Sequence, residues 1–578
     1  MPKVKPGIMR VIKNHLLLLV IIGVSFALRI YQVSSMPPAL NWDEVSIGYN
    51  AYALHTTGAD EWGKSLPTLF RAYGDYKLPV YVYLTVPFIA VFGLTEFAVR
   101  LPSVLFGTLS VLFTYLLIRQ LLRGERKTAI AIMCAALMAT EPWSLFTSRV
   151  ALEANAAVFC VIAGTYFFLK GLRTINYLPF ASLFFGLSVW SYNSARVFTP
   201  LFLLSLLVIY RKEIIKINRK LSVFCLLLIG VFVVPMFSQL ANPAGRARYS
   251  EVQIIDAGTL AQIDEARGSG CPRIQCNKVT YTLSRFAKNY ISHFGPKFLF
   301  TDGGSNYQFS IPGRGLLYLV NLPFFYIGLV IITSWALKLR NGRERRRESL
   351  VLLSWLLLAP IASSLTREAP HVLRSIVSLP MPMVLSACGF IWVVDKLKKS
   401  LRLVTIMIYI IVVLMLFENY LISYFNDYGV IYSQSWQYGY KEMTDFVKEN
   451  YAEYDNVVVS KKYGEPHEFL LFYGVNSSAP WPWKARDYQV DPNLNRFYQS
   501  NWYWVDQFAK FYFVNDWELT EDRVRENQFA LESGGVVDCK DKKCLLVASD
   551  QDFSKVWKKL MTVNFLDGKP AFEIYENK

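Results

Sequence analysis

Asp43 and Glu44 closely follow the first membrane-length apolar run, in the stretch PPALNWDEVSIGYNAYAL. Acidic side chains are expensive near hydrocarbon and are kept there mainly for function. A carboxylate held at the lipid–water boundary can take the proton of an attacking hydroxyl, which makes Asp43 a candidate general base and Glu44 its partner. The competing reading is local: WDEVSIGYNAYAL can open a helix whose free N–H groups Asp43 caps.

Cations that could hold an anionic leaving group recur along the chain. RAYGDYKLPVYVYL carries Arg71, Asp75 and Lys77, with Lys77 at headgroup depth, where it could grip a phosphate or simply snorkel. Arg100, in EFAVRLPSVLFG, needs an acidic partner such as Glu96 or a phosphate. FTSRVALEANAAVF offers Arg149 and Glu153 as an i,i+4 pair if the turn is helical, either a plain salt bridge or a second acid beside a second cation. Arg196 stands at another span end. The loop TREAPHVLRSIVSLP packs Arg367, Glu368, His371 and Arg374 together. His371 and Arg374, three residues apart, could grip one phosphate, or the loop could be a solvated charged turn.

These residues need a scaffold, and the composition says which kind. The chain has 578 residues, 53% of them hydrophobic and only 18% charged; mean hydropathy is +0.27. Repeated uncharged windows of about 20 residues read as membrane helices. The net charge of +17 does not indicate nucleic acid, because no recognition motif is present and the basic residues sit in short loops between apolar runs. They cluster at 3–13, 119–127, 170–173, 211–220, 338–347 and 396–402. This positive-inside pattern gives about eleven spans, with the N-terminus in the cytoplasm and the C-terminus outside. The first span, about 15–33, reads as uncleaved: Arg29 interrupts it and a small-residue cleavage site is poor. The run 79–93 is short, and counting it as a span would invert every later loop. It reads as a helix lying in the interface, anchored by Tyr81, Tyr83 and Phe88.

The outer side then holds a first loop at 34–99, a large loop at 238–315, a short loop at 365–374 and a tail. The domain boundaries are 1–423 for the membrane part and 424–578 for an extracytoplasmic α/β domain. Cys134, Cys160, Cys225 and Cys388 fall in spans, whereas Cys271/Cys276 and Cys539/Cys544 fall outside with equal spacing. Two disulfides are the natural reading, a Cys-only zinc site the alternative. In the tail, strands are expected at 456–460, 511–515, 536–539, 544–549 and 572–576, with helices at 435–451 and 552–560. VVDCKDKKCLLVA reads as a stapled hairpin. Aromatic-rich stretches at 477–488 and 496–508 could stack on sugars or fill the core of the tail.

WDE after the first span, YKLPVYVYLTVPFIAVFG followed by EFAVRLPSVLFGTLSVLFTYLL, and SRVALEA opening the fourth span together resemble the GT-C superfamily of integral-membrane glycosyltransferases. The likeness is to the protein O-mannosyltransferases and lipid A aminoarabinose transferases, families 39 and 83. It covers about residues 15–210, with topology and the HVLR loop extending it. It implies a GT-C fold, a polyprenyl-phosphate-sugar donor used outside the cytoplasmic membrane, and inversion at the anomeric carbon. Asp43 matches the family's first-loop catalytic acid, Glu44 its neighbour and Glu153 the second acidic position, usually Asp. Lys77 matches the basic residue before a Pro-Pro pair, which is Leu78-Pro79 here.

The site expected is therefore Asp43, Glu44 and Glu153 as acids, with Lys77, Arg100, Arg149, His371 and Arg374 on the donor phosphate. The acceptor is a glycan, lipid or protein. Some members of the superfamily bind a divalent metal, but no DxD motif occurs, so the expectation is a metal-independent enzyme without cofactor. The oligosaccharyltransferase signature WWDYG is missing, as are P-loop, HExxH and GxSxG motifs. Rivals are a lipid-sugar flippase, which should carry ionisable groups at the membrane midplane, a non-catalytic scaffold, and a glycan polymerase or ligase.

Overall fold

The computed structural model describes residues 6–337, 343–475, 484–499 and 502–577. The basic residues Lys3 and Lys5, positions 338–342, and Trp481 and Trp483 of the aromatic stretch lie outside the described residues. The chain divides into two compact units, Met1–Tyr31 with Ser103–Ile422, and Gln32–Pro102 with Ser423–Lys578. Residues 32–102, which include the first long loop, fall in the same unit as the tail.

The first unit is helical, and the protein is a multi-pass membrane protein. Among the described residues, six helices are long and apolar enough to cross a bilayer: Glu96–Leu121, Glu153–Gly171, Arg219–Ala241, Leu319–Leu337, Ile376–Lys396 and Lys399–Ile431. Shorter apolar helices cover Asn14–Ile30, Lys127–Thr140, Ile175–Val189 and Asn193–Ile209. Helices Leu322–Leu337 and Met381–Lys396 cross at Gly328 and Gly389. A Cβ on either would lie 2.0 Å from a carbonyl oxygen of the other helix, that of Leu385 or Phe324. Small residues allow this backbone approach where no hydrophobic effect drives helices together.

Arg29, an expensive residue for an apolar run, is fully buried. It donates to the carbonyls of Met138 and Ala139, both at 3.1 Å, and to the Ser144 hydroxyl at 3.0 Å. Those carbonyls end the helix Lys127–Thr140 and lack helical partners. In the large outer loop, helices Pro243–Val252, Ala257–Gly268 and Lys278–Ser292 follow one another, and the Cys271–Cys276 disulfide closes the turn between the last two.

The second unit contains the sheets. Its helices relevant here are α1 (Trp42–Thr57), α2 (Pro79–Phe92), α3 (Tyr440–Asn450) and α4 (Pro466–Gly474). The 14 residues of α2 span about 21 Å, short of a hydrocarbon core of about 30 Å. Strands β1 (Phe70–Ala72) and β2 (Asp75–Lys77) form a small hairpin. The main strands are β3 (Asn456–Ser460), β4 (Asn495–Gln499), β5 (Trp502–Phe508), β6 (Phe511–Val514), β7 (Gln528–Ala530), β8 (Val536–Asp538), β9 (Cys544–Ala548), β10 (Lys558–Asn564) and β11 (Pro570–Glu576). Seven of them make one sheet in the order β10-β11-β9-β3-β6-β5-β4. Central β3 runs parallel to β6 and β9, and its Val457, Val458 and Val459 are fully buried.

Two expectations about the tail need correction. Residues 536–549 are not a hairpin: β8 pairs with β7, while β9 enters the large sheet between β3 and β11. The Cys539–Cys544 disulfide therefore joins two sheets. Residues 552–560 are not a helix. Trp557 is buried and donates to the Val524 carbonyl at 2.9 Å, and the chain then extends into β10, whose ladder with β11 outweighs local helix preference.

Candidate active site

The site is built from the N-terminus of α1. Asn41 caps it: its side chain accepts from Glu44 N–H at 3.1 Å, and Glu44 Oε2 accepts from Asn41 N–H at 3.3 Å, a reciprocal capping box. Asn41, not Asp43, holds the capping position, so the Asp43 carboxylate is not consumed as the cap. Trp42, just before Asp43, is clamped from three sides. Its N–H donates to Gln437 Oε1 at 2.9 Å, its carbonyl accepts from Tyr73 Oη at 3.1 Å, and its ring lies where a Cβ on Gly464 would be, 2.4 Å away. Tyr73, Gln437 and Gly464 all have positive φ, an unusual backbone region for the first two.

Asp43 Oδ1 accepts from Lys77 Nζ at 2.6 Å; the carboxylate side chain is 42% exposed and the lysine 10%. Lys77 ends β2, and Pro79 immediately starts α2. The hairpin thus presents an ammonium to a solvent-open carboxylate. An open proton acceptor beside a cation is the arrangement a group transfer from a phosphate requires.

Glu44 and Arg100, expected on the substrate, are turned inward. Both side chains are fully buried, with Arg100 Nη2 at 2.9 Å from Glu44 Oε2. Arg100 spends all five N–H donors: Nε and Nη2 on the Glu44 carboxylate, Nη1 on the carbonyls of Val33 and Pro37, and Nη2 also on that of Ala39. It has no donor left for a phosphate. The pair supports the start of α1, and both assignments are corrected accordingly.

In the first unit, Arg149 is buried and donates to the carbonyls of Leu28, Arg29 at 3.2 Å and Tyr31 at 2.7 Å, the end of the first helix. It caps that helix, which corrects its assignment to the donor phosphate. The turn between Arg149 and Glu153 is not helical: one helix stops at Thr147 and the next begins at Glu153. Their spacing therefore does not place them on one helical face.

His371 and Arg374 do come together in their turn. Arg374 donates to Thr366 Oγ1 at 3.0 Å and to Glu368 Oε2 at 2.9 Å, so its charge is partly used by its own loop. His371 Nδ1 accepts the Arg374 backbone N–H at 3.2 Å. An accepting Nδ1 leaves the ring proton on Nε2 as a donor. Arg196 is bound to the Val189 carbonyl and Gln239. Among the described residues no group of three or more His, Cys, Asp or Glu side chains could hold a metal ion.

Several polar groups escaped the sequence reading, which names only Arg71 among them. Trp62, Arg71 and Arg496 stack, the two guanidinium carbons lying 4.9 and 4.0 Å from the Trp62 ring, and Glu61, Glu468 and His467 are buried nearby. Glu61 and Glu468 are four hundred positions apart, so no local spacing could join them. The one available signal was the density of charge in GADEWGK and GEPHEF.

Residues 77–238 match the family described as dolichyl-phosphate-mannose-protein mannosyltransferase. ArnT from Cupriavidus metallidurans, solved bound to undecaprenyl phosphate, aligns over 98% of this chain and 98% of its own, at 12% identity and a TM-score of 0.56. This chain carries the fold of that protein. The Archaeoglobus fulgidus oligosaccharyltransferase, solved with Zn and sulfate, aligns over 79% of this chain at 15% identity and a TM-score of 0.49. The chain spans only 61% of that protein's length. The S. cerevisiae Pmt1–Pmt2 complex bound to the sugar donor aligns over 39% of this chain and 32% of that one, at 20% identity and a TM-score of 0.29. No curated protein sequence matches. The family match begins at Lys77, the residue that donates to Asp43.

Proposed function

We propose that the protein is an inverting membrane glycosyltransferase that moves a sugar from a polyprenyl-phosphate donor to an acceptor hydroxyl on the extracytoplasmic face. The observation that carries this reading is the Asp43–Lys77 pair, an accessible carboxylate and an ammonium at 2.6 Å, in a GT-C fold. Asp43 takes the proton of the acceptor hydroxyl as its oxygen attacks the anomeric carbon. The bond from that carbon to the phosphate oxygen breaks on the opposite face, and the leaving phosphate meets Lys77.

His371, through its Nε2 proton, and Arg374 are the proposed additional grip on the phosphate, and Glu153 the proposed second acid. The sidedness rests on the loop charges. It is supported by the disulfides, both of which lie in segments that this pattern puts outside, while the free thiols lie in apolar helices. The acceptor is a glycan, lipid or protein hydroxyl, and the membrane is the cytoplasmic one.

The test is reconstitution in vesicles with labelled polyprenyl-phosphate hexoses and pentoses and a cell-envelope extract as acceptor. Transfer of label with release of polyprenyl phosphate is expected. Movement of the donor across the bilayer without transfer would reject the reading in favour of a flippase. In the same assay Lys77→Met is expected to raise the donor KM by about tenfold to a hundredfold, the value of a hydrogen bond to a charged group. A donor titration that superimposes on wild type would remove Lys77 from the phosphate site.

A further inference from the structure

Behind the Asp43 pair, the second unit buries a second pair of acids with no role in the chemistry above. Glu61 sits in the turn closed by the Ala59–Ser65 bridge, 2% exposed, and Glu468 in the first turn of α4, fully buried. Asp60 fixes the turn by accepting the N–H groups of Trp62 at 3.0 Å and Lys64 at 2.8 Å. The Glu61 N–H donates to Asn50 Oδ1 on α1 at 3.2 Å, which points the side chain inward. Among the described residues, none of the four carboxyl oxygens has a hydrogen-bond partner of good geometry, and the Asn50 side chain is the donor that faces Glu61. Each carboxyl has the other within hydrogen-bonding reach.

Two carboxylates so placed cannot both ionise, and a buried polar atom left without a partner costs about 1–3 kcal/mol. One proton between them removes the repulsion and partners an oxygen of each. We infer that Glu61 and Glu468 are held as a protonated, hydrogen-bonded pair, and that this pair is a clasp holding the Ala59–Ser65 turn, and through Asn50 the helix that carries Asp43, against α4.

The surroundings agree. The charges facing the pair are Arg496 from β4 and Lys77 from β2, set against Asp60 in the turn and Glu465 before α4. Burial pushes Glu465 up to about 8. Burial, then Arg496 and Lys461, drive His467 far below the usual histidine range, so it stays neutral. Tyr49 of α1, Tyr503 of β5, Tyr488 and Tyr73 complete the wall, and burial raises all four phenols. Glu465 therefore titrates in the same range as the pair, whereas His467 and the four phenols do not.

Burial pushes Glu61 up to about 7, and burial with the repulsion of Glu61 pushes Glu468 well above the ordinary glutamate range. Folded values above the unfolded one mean that the clasp stabilises fully below the ordinary glutamate range and fades as pH rises through about 7.

The test is thermal unfolding of the full-length protein in lipid nanodiscs between about pH 5.5 and pH 8.5. Wild type is expected to lose roughly 5 °C in Tm across that interval. Glu468→Gln should flatten the curve, because the amide donates to Glu61 at every pH. An equal slope in Glu468→Gln, or no slope in wild type, overturns the inference. So does a rise in Tm on adding Ca2+ or Mg2+ that Glu61→Gln abolishes, since the carboxylates would then hold a cation. Should Glu468→Gln not fold, the infrared C=O stretch in a wild-type minus Glu61→Gln difference decides. A protonated-carboxyl band at about pH 6.5 that is lost by about pH 8.5 supports the clasp, and its absence at the lower pH overturns it. These readouts are independent of transfer activity, so they stand whether or not the proposed function does.

Discussion

Asp43→Asn is expected to reduce sugar transfer by about 10²- to 10⁴-fold, the usual contribution of a positioned general base. The substitution keeps size and shape, leaves the Asn41–Glu44 capping box intact, and removes only the ability to accept a proton. The donor KM should therefore move little while kcat falls, because Lys77 remains to meet the phosphate. The measurement is initial rate against donor concentration in membranes lacking the wild-type protein. Undiminished kcat would take Asp43 out of the mechanism, and a KM effect alone would make it a binding residue.

Arg100→Met is expected to cost about 3–5 kcal/mol of stability, the penalty for orphaning one member of a buried ion pair. The loss exceeds the pair itself, since the carbonyls of Val33, Pro37 and Ala39 also lose their donor. Arg100→Lys should recover little of it, because an ammonium has three donors and cannot reproduce the fork on Glu44. Thermal unfolding of Arg100→Met, Glu44→Gln and the double variant checks this. The double variant should be less destabilised than the sum of the singles, as members of one network are not additive. An Arg100→Lys protein as stable as wild type would show that the five-donor arrangement is not what holds the loop.

Hydropathy and loop charge were sufficient for the helical unit, because membrane helices must satisfy their own backbone and so announce themselves locally. The run at 79–93 does form one short helix, α2, beginning at Pro79. Pairing partners were not readable in the same way. The strand β10 looked helical because only β11, downstream, makes it extended, and β8 and β9 looked like a hairpin because adjacency favours that guess. At the site, residue type was legible and direction was not. Asp43 and Lys77 meet as their spacing from the membrane suggested, whereas Arg100 and Arg149 turned to backbone carbonyls. A lone arginine near a span end has both a phosphate and a helix terminus as suitors, and only tertiary structure decides between them.

The reciprocal tie between Arg29 and the helix end at Met138 and Ala139 has a consequence for biogenesis. Three acceptors of that guanidinium, on Met138, Ala139 and Ser144, are synthesised some 110 positions after it, while Ser25 of its own helix is present from the start. A newly inserted first segment thus carries a charge without these three ligands, and has to keep it in headgroups or water until the later helix emerges. Insertion and settling are separate events for this segment, and the second waits on the ribosome.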